Sequence, residues 1–188
     1  METILDWLKG GDLRSDGAAD QAVEAVLAHE ELFDDLAEGL KSQDDVVCGR
    51  AADALEKVAR RRPDLMASQL PLVLESLKTE KVPMVKWHLA MALGHLAVFE
   101  ALIPQIYPPL LELLEDPSVF VKSWAIVSLC IIARQYPEYR EVTANKIAPL
   151  KGDKSIAIRS KVRSALEILT DDEKSFPKGW VKSEHIRL

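Results

Sequence analysis

The chain is poor in the residues that mark several common classes of protein. Of 188 residues only two are cysteine, Cys48 and Cys130, and both fall inside predicted helices. A disulfide framework is therefore not expected; two small buried thiols in a reducing cytoplasm fit better. The eight glycines are scattered, so no glycine-rich phosphate loop forms. Long apolar runs are missing: the longest, residues 126–133, is far too short to span a bilayer. Met1-Glu2-Thr3 opens on an acid instead of the basic stretch of a signal peptide, so export is not expected. No Ser/His/Asp set stands out, and no pair of acids is singled out by spacing. Catalytic residues, a metal and a cofactor are accordingly not expected.

What the chain does have is a repeat. Val85-Lys86-Trp87-His88-Leu89-Ala90-Met91-Ala92-Leu93 recurs in altered form from Val47, from Val121 and from Ile158, at spacings of 38, 36 and 37 residues. A period of that length belongs to a solenoid of stacked supersecondary units. Counting from the column Cys48, Lys86, Lys122 and Arg159, apolar positions fall at −1, +3, +6, +7 and +10. In the second unit these are Val85, Leu89, Ala92, Leu93 and Leu96. That is one stripe of a helix, helix B of each unit. Ala54, Ala92, Ser128 and Ala165 at +6 are small enough for neighbouring B helices to approach closely.

Each unit reads as two antiparallel helices. In the first, helix A covers about 30–41 and Ser42-Gln43-Asp44-Asp45 turns into helix B, which Pro63 stops. In the second, Pro71 lies in helix A and Pro83 opens helix B. Asp116-Pro117 turns the third unit, and Pro149 with Lys151-Gly152-Asp153-Lys154 turns the fourth. Ahead of the repeats, Thr3 with Asp6 forms a capping box on a helix ended by Gly10-Gly11, and Ser15 or Asp16 caps a second, alanine-rich helix. The organisation expected is all-α: an N-terminal helical cap over 1–29, four two-helix repeats at about 30–63, 64–99, 100–136 and 137–170, and a tail over 171–188.

An acid stands six residues before the column in three units (Glu80, Asp116, Asp153), and a base fills the column in the same three. The first unit has Ser42 and Cys48 instead. The joint presence and joint absence predict a ladder of ion pairs along the stack.

The unit of about 37 residues, the Asp in the turn, the Val-Lys/Arg pair, the Ala-Leu and the Pro of helix A together resemble HEAT repeats. The degenerate HEAT-like or phycobilisome-lyase-type repeats are matched equally well. The resemblance covers about 30–170 and implies a right-handed superhelix, an α-solenoid of armadillo type whose B helices line a concave surface that holds other proteins. His29-Glu30 is similar to the His-Glu pairs of the HEAT-repeat hydroxylase acting on deoxyhypusine, but that family needs four such pairs. This chain has one, beside a reversed Glu184-His185.

The net charge of −6 is uneven: residues 1–45 hold 13 acids against 3 bases, and the remainder holds 17 against 21. A uniformly basic nucleic-acid binder does not look like this. Arg60, Arg61, Arg62, Arg134, Lys161 and Arg163 would form a basic ridge if they share one edge. On the outward side of the middle B helices stand Trp87, His88, Met91 and His95, and then Trp124 and Val127. Aromatic and Met-rich centres with charged surroundings are the make-up of a binding surface; packing between helices is the alternative. His88 and His95, seven apart on a helix, lie roughly 10.5 Å apart along its axis, too far to share a metal directly. The function expected is a cytoplasmic, non-enzymatic module that binds a protein or peptide through Trp87, His88, Met91, His95, Trp124 and Val127. The alternative is a HEAT-like enzyme or enzyme subunit, a bilin lyase-like protein or a DNA-repair glycosylase.

Overall fold

A computed structural model describes residues 2–188. Among the described residues every regular element is a helix. In order these are α1 (Ile4–Trp7), α2 (Ala19–Ala28), α3 (Leu32–Glu38), α4 (Asp45–Arg61), α5 (Pro63–Ser68), α6 (Leu70–Thr79), α7 (Pro83–His95), α8 (Ile103–Glu112), α9 (Val119–Gln135), α10 (Arg140–Ile147) and α11 (Ile156–Thr170). The chain forms two compact units, Met1–Ala92 and Leu93–Leu188.

In the first unit α4 is the organising helix, packed against α2, α3 and α5. Its start is fixed by Asp44, whose carboxylate accepts from the Val46 amide at 2.9 Å, and Arg60 and Arg61 occupy its last turn. The stripe Val47, Ala51, Ala54, Leu55 and Val58 is buried, as its helical spacing requires. Burial goes further than a stripe: every residue from Val47 to Glu56 is covered. α4 is thus an inner helix enclosed on all sides. The single helix A expected for the second repeat is two, α5 and α6, interrupted at Gln69. Pro63 and Pro71 each sit in a first turn, where a missing amide hydrogen costs nothing, and the chain breaks between them.

The cap of α2 also differs from expectation. The helix begins after Ala18; Ser15 and Asp16 lie outside it, because Gly17 takes φ +55° and turns the chain first. Gly10 and Gly11 end α1 in the same left-handed region, and the Thr3 amide and hydroxyl both donate to the Asp6 carboxylate at 2.8 Å.

In the second unit α9 holds the corresponding place, packed on α8, α10 and α11. Ser118 caps it, and Ala125 to Ala133 are all buried. Gly94 is tight against it: a Cβ there would lie 2.5 Å from Ser128 Oγ. Small residues at this level do permit close approach. The tail after Thr170 contains no helix, yet Trp180, Ser183 and Ile186 within it are buried.

Candidate functional site

Inside the first unit, α4 carries charge into the core. Glu56 is fully buried and is held by Arg60 through Nε–Oε1 at 2.9 Å and Nη2–Oε2 at 2.5 Å. One turn earlier, buried Asp53 meets Lys57 Nζ at 2.9 Å and His88 Nε2 at 3.4 Å. Lys57 reaches on to Asp20 at 2.5 Å. Burial works to lower the Lys57 pKa, but the hydrogen bonds it donates to Asp20 and Asp53 outweigh it and raise it. For His88 the balance is reversed. Desolvation lowers its pKa despite the opposing fields of Asp53 and Glu56, so the ring is held towards neutrality. The Trp87 ring, half-buried, lies 5.3 Å from the His88 ring at 58°.

The second unit has a different arrangement. Trp124 is half-buried, with Lys182 Nζ 4.7 Å and Lys161 Nζ 5.2 Å from its ring centre. Lys161 is also 4.8 Å from the centre of Trp180. Two rings of α9 and the tail thus share one ammonium. Burial holds the Lys161 pKa down. Arg134 then fixes the tail: its guanidinium donates to the carbonyls of Ile168 at 3.0 Å, Asp171 at 3.2 Å, Asp172 at 2.8 Å and Lys174 at 3.1 Å. It also lies 5.7 Å over the Phe176 ring.

Of the six residues expected to bind a partner, Trp87 and Trp124 keep partial access. His88, Met91, His95 and Val127 are buried, Met91 to 4% exposure and Val127 to 1%. The reason is the enclosure of the inner helices: positions that a one-sided helix would leave open are covered by neighbours.

The basic ridge is not a free surface. Arg60 is taken by Glu56, Arg61 by Glu24 at 3.2 Å, and Arg62 by Asp64 and Glu30. Arg134 is spent on the tail and Lys161 on two tryptophans. Arg163 lines a small pocket with Lys151 and Arg159. No group of three or more His, Cys, Asp or Glu side chains among the described residues is placed to hold a metal. None of the described helices is long and apolar enough to cross a membrane.

Of the expected ladder the second unit shows one ion pair, in a register the spacing did not show. Lys122 pairs with Asp153, the acid of the following turn instead of its own. Cys48 likewise faces the acid of its following turn, Glu80, with Sγ 3.5 Å from Oε2. The joint absence of an acid at Ser42 and a base at Cys48 therefore does not remove both halves of one rung; it leaves Glu80 opposite a thiol. Arg50 was not singled out by the sequence. It is buried and donates to the carbonyls of Leu8 at 2.8 Å, Lys9 at 3.4 Å, Gly10 at 2.7 Å, Asp12 at 3.2 Å and Ser15 at 3.2 Å. No sequence signal marks such a partner, since every residue has a carbonyl; the nearby Gly10, Gly11 and Gly17 are the only trace.

A family model described as HEAT repeats matches residues 33–130, just over half of the chain. No curated protein matches the sequence. A crystal structure titled as an engineered protein, from the Northeast Structural Genomics Consortium, is similar in fold. It has a TM-score of 0.64 at 20% identity, over 89% of this chain and 78% of that one.

Proposed function

Because the chain belongs to the HEAT-repeat family, we propose that it is a non-enzymatic interaction module holding a protein or peptide partner. HEAT repeats commonly mediate protein–protein interaction. The finer organisation belongs to the same reading: a right-handed solenoid of about four repeats over 30–170, capped by 1–29 and followed by the tail 171–188. A cytoplasmic location goes with it, in keeping with two free thiols.

The observation that carries the reading is the pair of half-buried tryptophans on inner helices, Trp87 on α7 and Trp124 on α9. Large amphipathic rings with one face packed and one accessible are the residues on which interfaces concentrate their binding energy. The buried His88 ring lies against the first, and Met91 and Val127 are buried on the same helices, α7 and α9. His95 is interior as well, and its part is structural. At Trp124 a partner has to displace or join Lys182.

Affinity capture with the wild-type chain, Trp87→Ala and Trp124→Ala tests the proposal, each variant being checked by thermal unfolding. A partner held by the wild type should be lost by at least one variant that melts normally. If both variants retain it, or if both unfold, these tryptophans are not the contact. Salt-sensitive retention on duplex DNA would replace the proposal with a nucleic-acid reading.

A further inference from the structure

The rung between Cys48 and Glu80 can be compared, atom by atom, with the complete rung in the second unit. At Asp153 one carboxylate oxygen accepts from the amide of its own turn, Ser155 N–H at 2.7 Å, and the other receives the Lys122 ammonium. At Glu80 one oxygen does the same turn work, accepting from the amides of Lys81 and Val82 at 2.6 Å each. The other oxygen points to the column position, where a thiol stands in place of an ammonium. That thiol is a poor substitute. Burial, with the Glu80 carboxylate beside it, pushes its pKa up to about 12. It stays neutral and offers one weak donor, shared with the Leu40 carbonyl at 3.5 Å.

The incomplete rung borders open space. A cleft of about 910 Å³ lies here, lined among others by Ser42, Asp45, Cys48, Glu75, Thr79 and Glu80. Two lysines also border it, Lys41 and Lys81, but Lys41 is already held by Glu38 at 2.5 Å. Glu80 has no basic partner among the described residues. The lining is therefore net acidic, with its charge directed to a position that the same fold fills with an ammonium elsewhere.

We propose that this cleft is a binding site for a lysine side chain of a partner polypeptide, whose ammonium completes the rung at Glu80. Lysine fits better than arginine. Only one carboxylate oxygen is free, which suits a point charge and not a two-pronged guanidinium. The volume exceeds what one side chain fills, so flanking peptide enters with it, against the polar groups of Ser42 and Thr79. Trp87 does not line the cleft, and the site stands or falls independently of the tryptophan contacts proposed above.

The test uses the full ¹⁵N-labelled chain and blocked single residues as probes: N-acetyl-lysine methylamide against its uncharged norleucine counterpart, at matched ionic strength. Lysine should give saturable amide shifts confined to 41–48 and 75–83, and norleucine should not. Glu80→Gln, which keeps an acceptor for the two turn amides, should weaken lysine binding at least fivefold. Cys48→Lys should abolish it, its own ammonium taking the place, and should raise the melting temperature. Equal shifts with both probes, shifts elsewhere in the chain, or undiminished binding to Glu80→Gln would overturn the assignment. Should Cys48→Lys fail to fold, the Glu80→Gln comparison alone decides.

Discussion

Replacing Arg50 by methionine is the most informative perturbation of the first unit. Methionine keeps much of the stem's apolar packing and removes only the guanidinium. Five carbonyls between Leu8 and Ser15 then lose their common donor. Two of those bonds are short, 2.8 Å to Leu8 and 2.7 Å to Gly10, and the first is buried. A hydrogen bond to a charged group contributes about 1.5–3 kcal/mol. The three longer, partly solvated bonds are regained from water and are counted as nothing. Two strong bonds at the lower end give a loss of about 3 kcal/mol, since the freed loop can itself hydrate. Urea unfolding of wild type and variant measures the difference, and amide exchange over 8–17 shows where it arises. Arg50→Lys should lose more than half as much, because a single ammonium cannot serve a fork of carbonyls. Gly17→Ala should act through the same contact: its Cβ would sit 2.5 Å from the Arg50 Cζ, on a backbone with φ +55°. A loss below about 1 kcal/mol in Arg50→Met, or exchange over 8–17 no faster than in wild type, would refute the clamp.

Other outcomes follow from the same geometry. The His88 pKa is lower in the folded chain than in the unfolded one, so the unfolded state takes up the proton first; stability is full above the ordinary histidine range and declines as pH falls through it. His88→Gln should flatten that slope between pH ~7.5 and ~5.5 in chemical unfolding. Asp153 is shifted in the helpful direction, its carboxyl held below the usual range mainly by the Lys122 hydrogen bond. That contribution is present above the ordinary carboxylate pKa and is lost as pH drops through the folded value. Lys122→Met should therefore weaken the acid dependence below pH ~4. Gly94→Ala should cost about 1–3 kcal/mol by overpacking and be largely rescued by Ser128→Gly, as a double-mutant cycle will show. Arg134→Met should release the tail, seen as faster tryptic cleavage after Lys174 and Lys178.

The helix-B stripe was legible because burial at −1, +3, +6, +7 and +10 has a fixed period, and Val47, Leu89, Leu129 and Val162 all lie in the core it predicts. Leu166 is the exception, half-exposed on the last helix. Enclosure of the other helix faces was not legible. Met91 and Val127 look like surface candidates on a helical wheel, and only the neighbours in space show that they are interior. The ladder's register was missed for a related reason. Two acids are in sequence reach of each base, one in its own turn and one in the next, and Lys122 chooses by distance. Arg50 was passed over and Arg134 was grouped into a basic ridge because carbonyl partners leave no mark in composition. Lys182 came within reach of Trp124 through a tail that has no periodicity from which to place it.

The two cysteines have a practical consequence. Cys130 is fully buried in the second unit and Cys48 is buried at the wall of its cleft in the first, each with its pKa pushed up to about 12, so neither reacts readily as a thiolate while its surroundings keep this form. A thiol reagent then reads opening and not reactivity. Cys48→Ala and Cys130→Ala variants leave one reporter each, and modification rates measured on the pair reveal whether the two halves of the chain breathe together or one at a time.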